Sequence, residues 1–181
     1  GSGAMFSDSR PEVTELMELL DAAVVTTQSG RGIVPETDSR SIGHFATFQT
    51  LKHFVAKSDL LVSIGARFRG NETSNWTLDT PKEHIGIDID PASIARNFPH
   101  SIGIVGEAKS TLAAIVRLVR ARRPQPKPGY RAEVAALRQA LRKEVRDTMG
   151  PWEGILDAIQ ELMPEDAILV RHGKGEKPRS V

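Results

Sequence analysis

Two arginines and two glycines share one loop: Gly65, Arg67, Arg69 and Gly70 follow directly on the apolar run Leu60-Leu61-Val62-Ser63-Ile64. A guanidinium presents a planar fork of N–H donors that matches phosphate oxygens, so Arg67 is a candidate anion ligand. Asp88 ends a second apolar run, His84-Ile85-Gly86-Ile87. A carboxylate at a strand end can accept hydrogen bonds from ribose hydroxyls. Asp90 precedes Pro91, the pattern of an N-cap with proline at the first helical position, so Asp88 and Asp90 are not read as paired metal ligands. Gly65 to Gly70 is G-x-x-x-x-G, but Asn71-Glu72 stands where a P-loop needs Lys-Ser/Thr, and the stretch is not G-x-G-x-x-G.

Both loops follow short runs of branched residues, which suit buried parallel strands. The elements needed to hold them can be read in order. Val13, Leu16, Met17 and Leu20 fall at i, i+3, i+4 and i+7, which predicts a helix over 11–21, and Ser9 and Glu12 have capping-box spacing. A strand over 23–27 follows, then a glycine-rich loop over 28–32, a polar loop over 35–41 and a helix over 47–57. Strands are predicted at 60–64, 84–88 and 102–105. A short helix runs from Pro91 to about Asn97, and a longer one is capped by Ser110 and ends near Arg122. Strands alternating with helices predict an α/β fold: a Rossmann-like, doubly wound parallel sheet of five or six strands, helices on both faces, and a helical C-terminal extension.

Composition changes at Arg123, where Pro124, Pro126, Pro128 and Gly129 favour an extended linker. The expected division is therefore a domain over 1–123, a linker over 124–130, helices and a first strand of a truncated second domain over 131–171, and a disordered or vector-derived tail over 172–181. Gly1 to Met5 are either a cloning remnant or the glycine-rich turn after a strand that has been cut away. In the second case the sheet has a vacant central position, which is costly for a buried parallel sheet. Filling by another chain, filling by the tail, or poor stability would follow.

Bulk properties exclude several classes. A net charge of +1, from 24 basic and 23 acidic residues, provides no field for nucleic acid or an anionic membrane. The arginines 117, 120, 122 and 123 end a helix, where the macrodipole favours cations, and no aromatic residue is interleaved with them, so no nucleic-acid partner is expected. The absence of cysteine excludes disulfides and thiolate metal sites. His44, His53, His84 and His100 are single and not grouped with carboxylates, which argues against a metal. No apolar run is long enough to span a membrane, and no signal peptide is evident. These features fit a cytoplasmic protein.

The blocks VVTTQSGRGIVPE, SIGHF, SDLLVSIGARF, HIGIDIDPASIARN and IVGEAKSTL, in this order over about residues 11–122, resemble the central domain of thiamine-diphosphate-dependent enzymes of the acetolactate synthase type. GPWEGILDAIQELMPEDAILV resembles the start of the diphosphate-binding domain of that family. The resemblance implies a parent acting on 2-oxo acids, with thiamine diphosphate and Mg²⁺ bound between a pyrimidine-binding and a diphosphate-binding domain, both largely missing here, and assembled as a homo-oligomer. The G-D-G that precedes the family's Mg²⁺-binding Asn does not occur in this sequence, so the chain alone is expected to be inactive. The other reading is a stand-alone nucleotide-binding or scaffolding module of the same fold.

In the family the central domain binds FAD, an ADP, or nothing. The resemblance carries over residue by residue: Gly65 and Arg67 to the element against the nucleotide phosphates, Asp88 and Ile89 to a pair at the adenosine, Glu107 and Ala108 to a second adenosine-facing pair, and Gly43 and His44 to the start of a glycine-containing loop. Two departures point away from FAD. Arg69-Gly70-Asn71 replaces the two aspartates usual in flavin-type relatives, and Phe45-Ala46-Thr47 lacks the glycine that permits close backbone approach. An ADP-like nucleotide or an empty site is favoured over FAD.

Overall fold

The computed structural model describes residues 1–44, 47–164 and 167. Among these residues are six α-helices: α1 (Ser2–Phe6), α2 (Arg10–Leu20), α3 (Gln49–Ala56), α4 (Ala108–Arg122), α5 (Tyr130–Met149) and α6 (Glu153–Leu162). Five strands lie among them, β1 (Val24–Val25), β2 (Ser41–Gly43), β3 (Leu61–Ile64), β4 (His84–Asp88) and β5 (Ile102–Val105). Every pairing is parallel. Parallel strands joined through helices confirm the α/β class.

The single sheet of five or six strands is corrected to two sheets, β1-β2 and β3-β4-β5. β1 and β3 each have a neighbour on one side only. Between them lies a cavity of about 510 Å³ lined by both strands. A second correction is β2, for which the sequence reading has no strand: its polar loop ends at Ser41, and Ser41-Ile42-Gly43 offers one branched apolar residue. All three residues are buried, and their backbone pairs with Val24 and Val25.

Helices cover both faces, as expected. Val13, Leu16 and Met17 of α2 and Leu112 and Val116 of α4 pack with Ile87, Val62, Ile64 and Ile85 of β3 and β4. The opposite face joins Leu51 and Val55 of α3 to Val134, Leu137 and Leu141 of α5, with Leu61 against them. Side chains alternate across a strand, so Val62 and Ile64 serve one layer and Leu61 the other.

Helix ends depart from the sequence reading in three places. Ser9 holds the N-cap position of α2, but its hydroxyl donates to the Ala4 carbonyl at 2.9 Å rather than capping. α4 is capped by Glu107, not Ser110, whose own backbone N–H is one of the groups being capped. The helix expected over 91–97 is a single 3₁₀ turn, Pro91–Ser93, although Asp90 caps it by accepting from the Ala92 N–H at 3.0 Å.

α4 ends at Arg123 in a left-handed conformation followed by Pro124. The division of contacts differs from the break drawn there by composition: one compact unit is Gly1–Val145 and a second is Arg146–Val181. Within the first unit, Arg131 donates from Nε to the Asp21 carboxylate at 2.8 and 3.1 Å. Glu144 accepts from the backbone N–H groups of Gln49 and Thr50 at 3.1 and 3.3 Å, supplying the first turn of α3 with the acceptor its own cap lacks. In the second unit, Arg146 holds Asp157 of α6 through both guanidinium Nη atoms. The strand expected near 167–170 and the tail over 172–181 lie outside the described residues, apart from Ala167.

At the amino end of β4, the fully buried His84 meets Ser63 Oγ through Nε2 at 2.9 Å, and the rings of Phe68 and His100 stand against it edgewise. A side chain at Gly86 would collide with His100, so glycine there lets the second imidazole lie across the strand. Burial, reinforced by the neighbouring His100, pushes His84 down to about 4 from 6.5. A histidine kept neutral in the fold contributes stability that is complete above its unfolded value and is lost as pH falls from about 6.5 to about 4. Urea unfolding should therefore show a loss of about 2 kcal/mol between pH 7 and pH 4.5 from this group, much reduced in His84→Gln. An unchanged pH dependence in the variant would contradict that assignment.

Candidate functional site

Within each sheet the strands run in one direction, so their carboxyl ends open on one side of it, where α/β sheets gather ligands. Gly65, directly after β3, has φ +53° and its N–H donates to the Ile87 carbonyl at 2.8 Å. An added Cβ there would lie 2.5 Å from the Gly3 Cα, and the Gly3 N–H donates to the Gly65 carbonyl at 3.2 Å. Left-handed backbone and close chain contact both require glycine at this position.

Arg67 is exposed, and among the described residues its guanidinium has no hydrogen bond or ion pair, leaving the whole fork available. Phe68, next to it, has φ +46°, and Ser74, Asn75 and Trp76 later in the same loop are also left-handed. Non-glycine residues in that region cost roughly 1–2 kcal/mol each and must be held by their surroundings. Asn97 does part of this, donating from Nδ2 to the carbonyls of Arg67 at 2.9 Å and Phe68 at 3.3 Å. Sequence reasoning missed Asn97, although it ends the HIGIDIDPASIARN block that drew attention to Asp88.

Asp88 closes β4 and is half-buried. Its Oδ1 accepts from the Asp90 N–H at 2.9 Å, which leaves Oδ2 without a partner among the described residues. The Gly106 N–H donates to the Asp88 carbonyl at 2.9 Å and so brings the end of β5 alongside. Ile89 is 71 % exposed. Glu107 is fully engaged: Oε1 accepts from the Lys109 N–H at 2.9 Å, and Oε2 from the Ser110 N–H and hydroxyl at 2.8 Å each. These donors, the Ser110 N–H foremost, hold its carboxyl below the usual carboxylate range. Ala108 is buried against the α2–α4 core.

Gly43 and His44 belong to the other sheet, across the cavity. Gly43 has φ +79° and its carbonyl accepts from the Thr26 N–H at 2.9 Å. His44 Nδ1 lies 2.8 Å from the Thr26 carbonyl, which fixes the proton on Nδ1 and directs Nε2 elsewhere. The structure thus joins Gly65, Arg67, Asp88 and Asn97 into one cluster, places Gly43 and His44 opposite, and commits Glu107 and Ala108 to starting α4.

Phosphate fits the unpaired Arg67 fork, and a ribose hydroxyl fits the spare oxygen of Asp88. A second adenosine-facing carboxylate at Glu107 does not fit, because both its oxygens are occupied by a helix terminus. For thiamine diphosphate and Mg²⁺ no fit is found: among the described residues there is no group of three or more acidic, histidine or cysteine side chains able to hold a metal, and the sequence has no G-D-G. No helix among these residues is long and apolar enough to cross a membrane.

Comparison with known proteins agrees with this geometry. The family described as "Thiamine pyrophosphate enzyme, central domain" matches residues 1–115, the stretch that contains every strand among the described residues and each candidate ligand. A probable acetolactate synthase large subunit of Methanococcus aeolicus is 34 % identical over 120 residues, covering 65 % of this chain and 20 % of its own length. The acetolactate synthase large subunit of Haemophilus influenzae is 34 % identical over 122 residues, 66 % of this chain and 21 % of its own. An acetolactate synthase of Mycobacterium bovis is 28 % identical over 180 residues, 94 % of this chain and 29 % of its own. The chain thus spans between about a fifth and three tenths of these relatives. With strands, glycine turns and family match coinciding over the same residues, the chain belongs to the thiamine pyrophosphate enzyme family, as its central domain.

Proposed function

We propose that this chain is part of a thiamine-diphosphate-dependent enzyme of the acetolactate synthase type, a parent that joins or cleaves 2-oxo acids. The observation that supports it best is the coincidence of the family match over residues 1–115 with glycine turns and polar groups gathered at the carboxyl ends of parallel strands. The similarity to the mycobacterial protein continues over 180 residues, past the central domain, and favours a multidomain parent over a stand-alone module. In such a parent, thiamine diphosphate with Mg²⁺ supplies the carbanion chemistry from the pyrimidine- and diphosphate-binding domains, its partners. This chain's residues do the positioning. The linker toward the next domain is placed at the proline-rich stretch over 124–130, with α5 packed back on the first unit, and the parent is a cytoplasmic homo-oligomer.

The central domain's own ligand is an ADP-like nucleotide in preference to FAD, held by Arg67 at phosphate and by Asp88 Oδ2 at a ribose. Gly65 allows the backbone approach, and Asn97 fixes the carbonyls that orient Arg67. Glu107, Ala108, Ile89, Gly43 and His44 act as framework around that pair.

Two outcomes are expected. The purified chain with thiamine diphosphate, Mg²⁺ and pyruvate should form no acetolactate; measurable turnover would overturn its assignment as non-catalytic alone. ADP at a hundredfold excess over Kd should stabilise the chain by about 2.7 kcal/mol. Arg67→Ala should abolish that shift, whereas Glu107→Ala should lower the unfolding midpoint through loss of the α4 cap yet keep the response to ADP. A loss of response in Glu107→Ala alone would show that the wrong carboxylate has been chosen.

A further inference from the structure

The connection from β4 to β5 is strapped to the sheet at two places. Gly86 and Gly103 face each other in register on the two strands. A Cβ built on Gly86 would lie 2.1 Å from the His100 ring, and one built on Gly103 would lie 2.4 Å from Ile94 Cγ2, so each bare stretch of backbone seats one end of the segment 94–100. Between these anchors Ala95 is left-handed at φ +54°, a conformation that a residue with a Cβ keeps only where its surroundings hold it.

The holding group is an imidazole. The Ala95 N–H donates to His100 Nδ1 at 3.2 Å. Two residues on, Asn97 donates to the carbonyls of Arg67 and Phe68, and Phe98 packs on Phe68 with ring centroids 5.2 Å apart. His100 thus reaches the Arg67 loop through Ala95 and Asn97. The same bond fixes its protonation state, because Nδ1 accepts only when it carries no proton.

The groups around His100 keep it neutral. His84 of β4 stands edgewise on it at 4.3 Å, which opposes charge on both rings. Asp88 lies at the other end of β4, β5 has no titratable side chain, and in the connection itself Asp90 is spent on the Ala92 N–H while Arg96 is exposed. Burial pushes His100 down from 6.5.

We propose that His100 is a positioning residue for the Arg67 site: its neutral imidazole sets Ala95 and, through Asn97, holds the Arg67 loop in the conformation that takes a nucleoside diphosphate. Protonation at Nδ1 turns the acceptor into a donor facing the Ala95 N–H, releases Asn97, and loosens the carbonyls that orient Arg67. This rests on the assignment of an ADP-like nucleotide to Arg67 and Asp88.

The test measures the Kd for ADP by equilibrium dialysis from about pH 8 to about pH 5, across the range where histidine titrates. Three proteins are compared: the unaltered chain, His100→Asn, whose side-chain oxygen stands where Nδ1 does and does not titrate, and His100→Phe, which keeps a ring without an acceptor. Protonation of the ADP phosphate is common to all three and drops out of the comparison. Over this range the Kd of the unaltered chain should rise about tenfold more than that of His100→Asn, and His100→Phe should bind weakly throughout. Equal pH profiles for the unaltered chain and His100→Asn, or undiminished binding by His100→Phe, would overturn the proposal. If no protein binds ADP at any pH, the nucleotide assignment fails, and the ¹⁵N resonance of the Asn97 side-chain amide decides the positioning role. A resonance that moves with pH in the unaltered chain but not in His100→Asn supports that role, and one that moves alike in both overturns it.

Discussion

The backbone of β3 is the constraint on which the molecule turns. β3 lies between two helical layers with Ser63 buried and Leu61, Val62 and Ile64 half-buried, so both rows of its peptide groups call for partners within the protein. β4 supplies one row through Leu61 and Gly65. The other row opens on the cavity, across which β1 stands with the same deficit. Division into two sheets, the lining of α2 and α3 side chains, and the convergence of Gly1, Gly3 and Gly65 all follow from that gap. The glycines are a consequence of chain crossing chain at the end of β3, where an added Cβ would fall within 3 Å of backbone.

The candidate site shows a competition between local satisfaction and ligand binding. A helix N-terminus and a ribose both want a carboxylate, and at Glu107 the helix has won: three donors surround its two oxygens. At Asp88 the local claim is smaller, one backbone N–H on one oxygen, which leaves the other available. Arg67 is the opposite case, an exposed cation with nothing paired to it, beside a left-handed Phe68 held by Asn97. Unspent hydrogen-bonding capacity next to strained backbone is what makes this loop a candidate for binding.

α5 shows how composition and contacts can disagree. The proline-rich stretch before it reads as a linker, yet Val134, Leu137 and Leu141 are buried against α3, and Arg131 and Glu144 reach Asp21 and the start of α3. A linker sequence sets the path of the chain, while apolar burial decides which body the next helix joins.

Much was determined by sequence alone. Branched runs ended by glycine or aspartate located β3, β4 and β5, the i, i+3, i+4 pattern located α2 and α4, and Asp90-Pro91 marked a real cap, because these signals are local and depend on the period of one element. The ordered blocks also carried the family. Tertiary structure decided what depends on neighbours distant in the chain. β2 exists because Ser41 and Gly43 find Val24 and Val25, a pairing that no propensity in Ser-Ile-Gly announces. Ser9 and Ser110 lost their capping roles to the Ala4 carbonyl and to Glu107. Whether five strands make one sheet or two was settled by the row of peptide groups facing the cavity, since hydrogen bonds between strands are satisfied in space and not along the sequence.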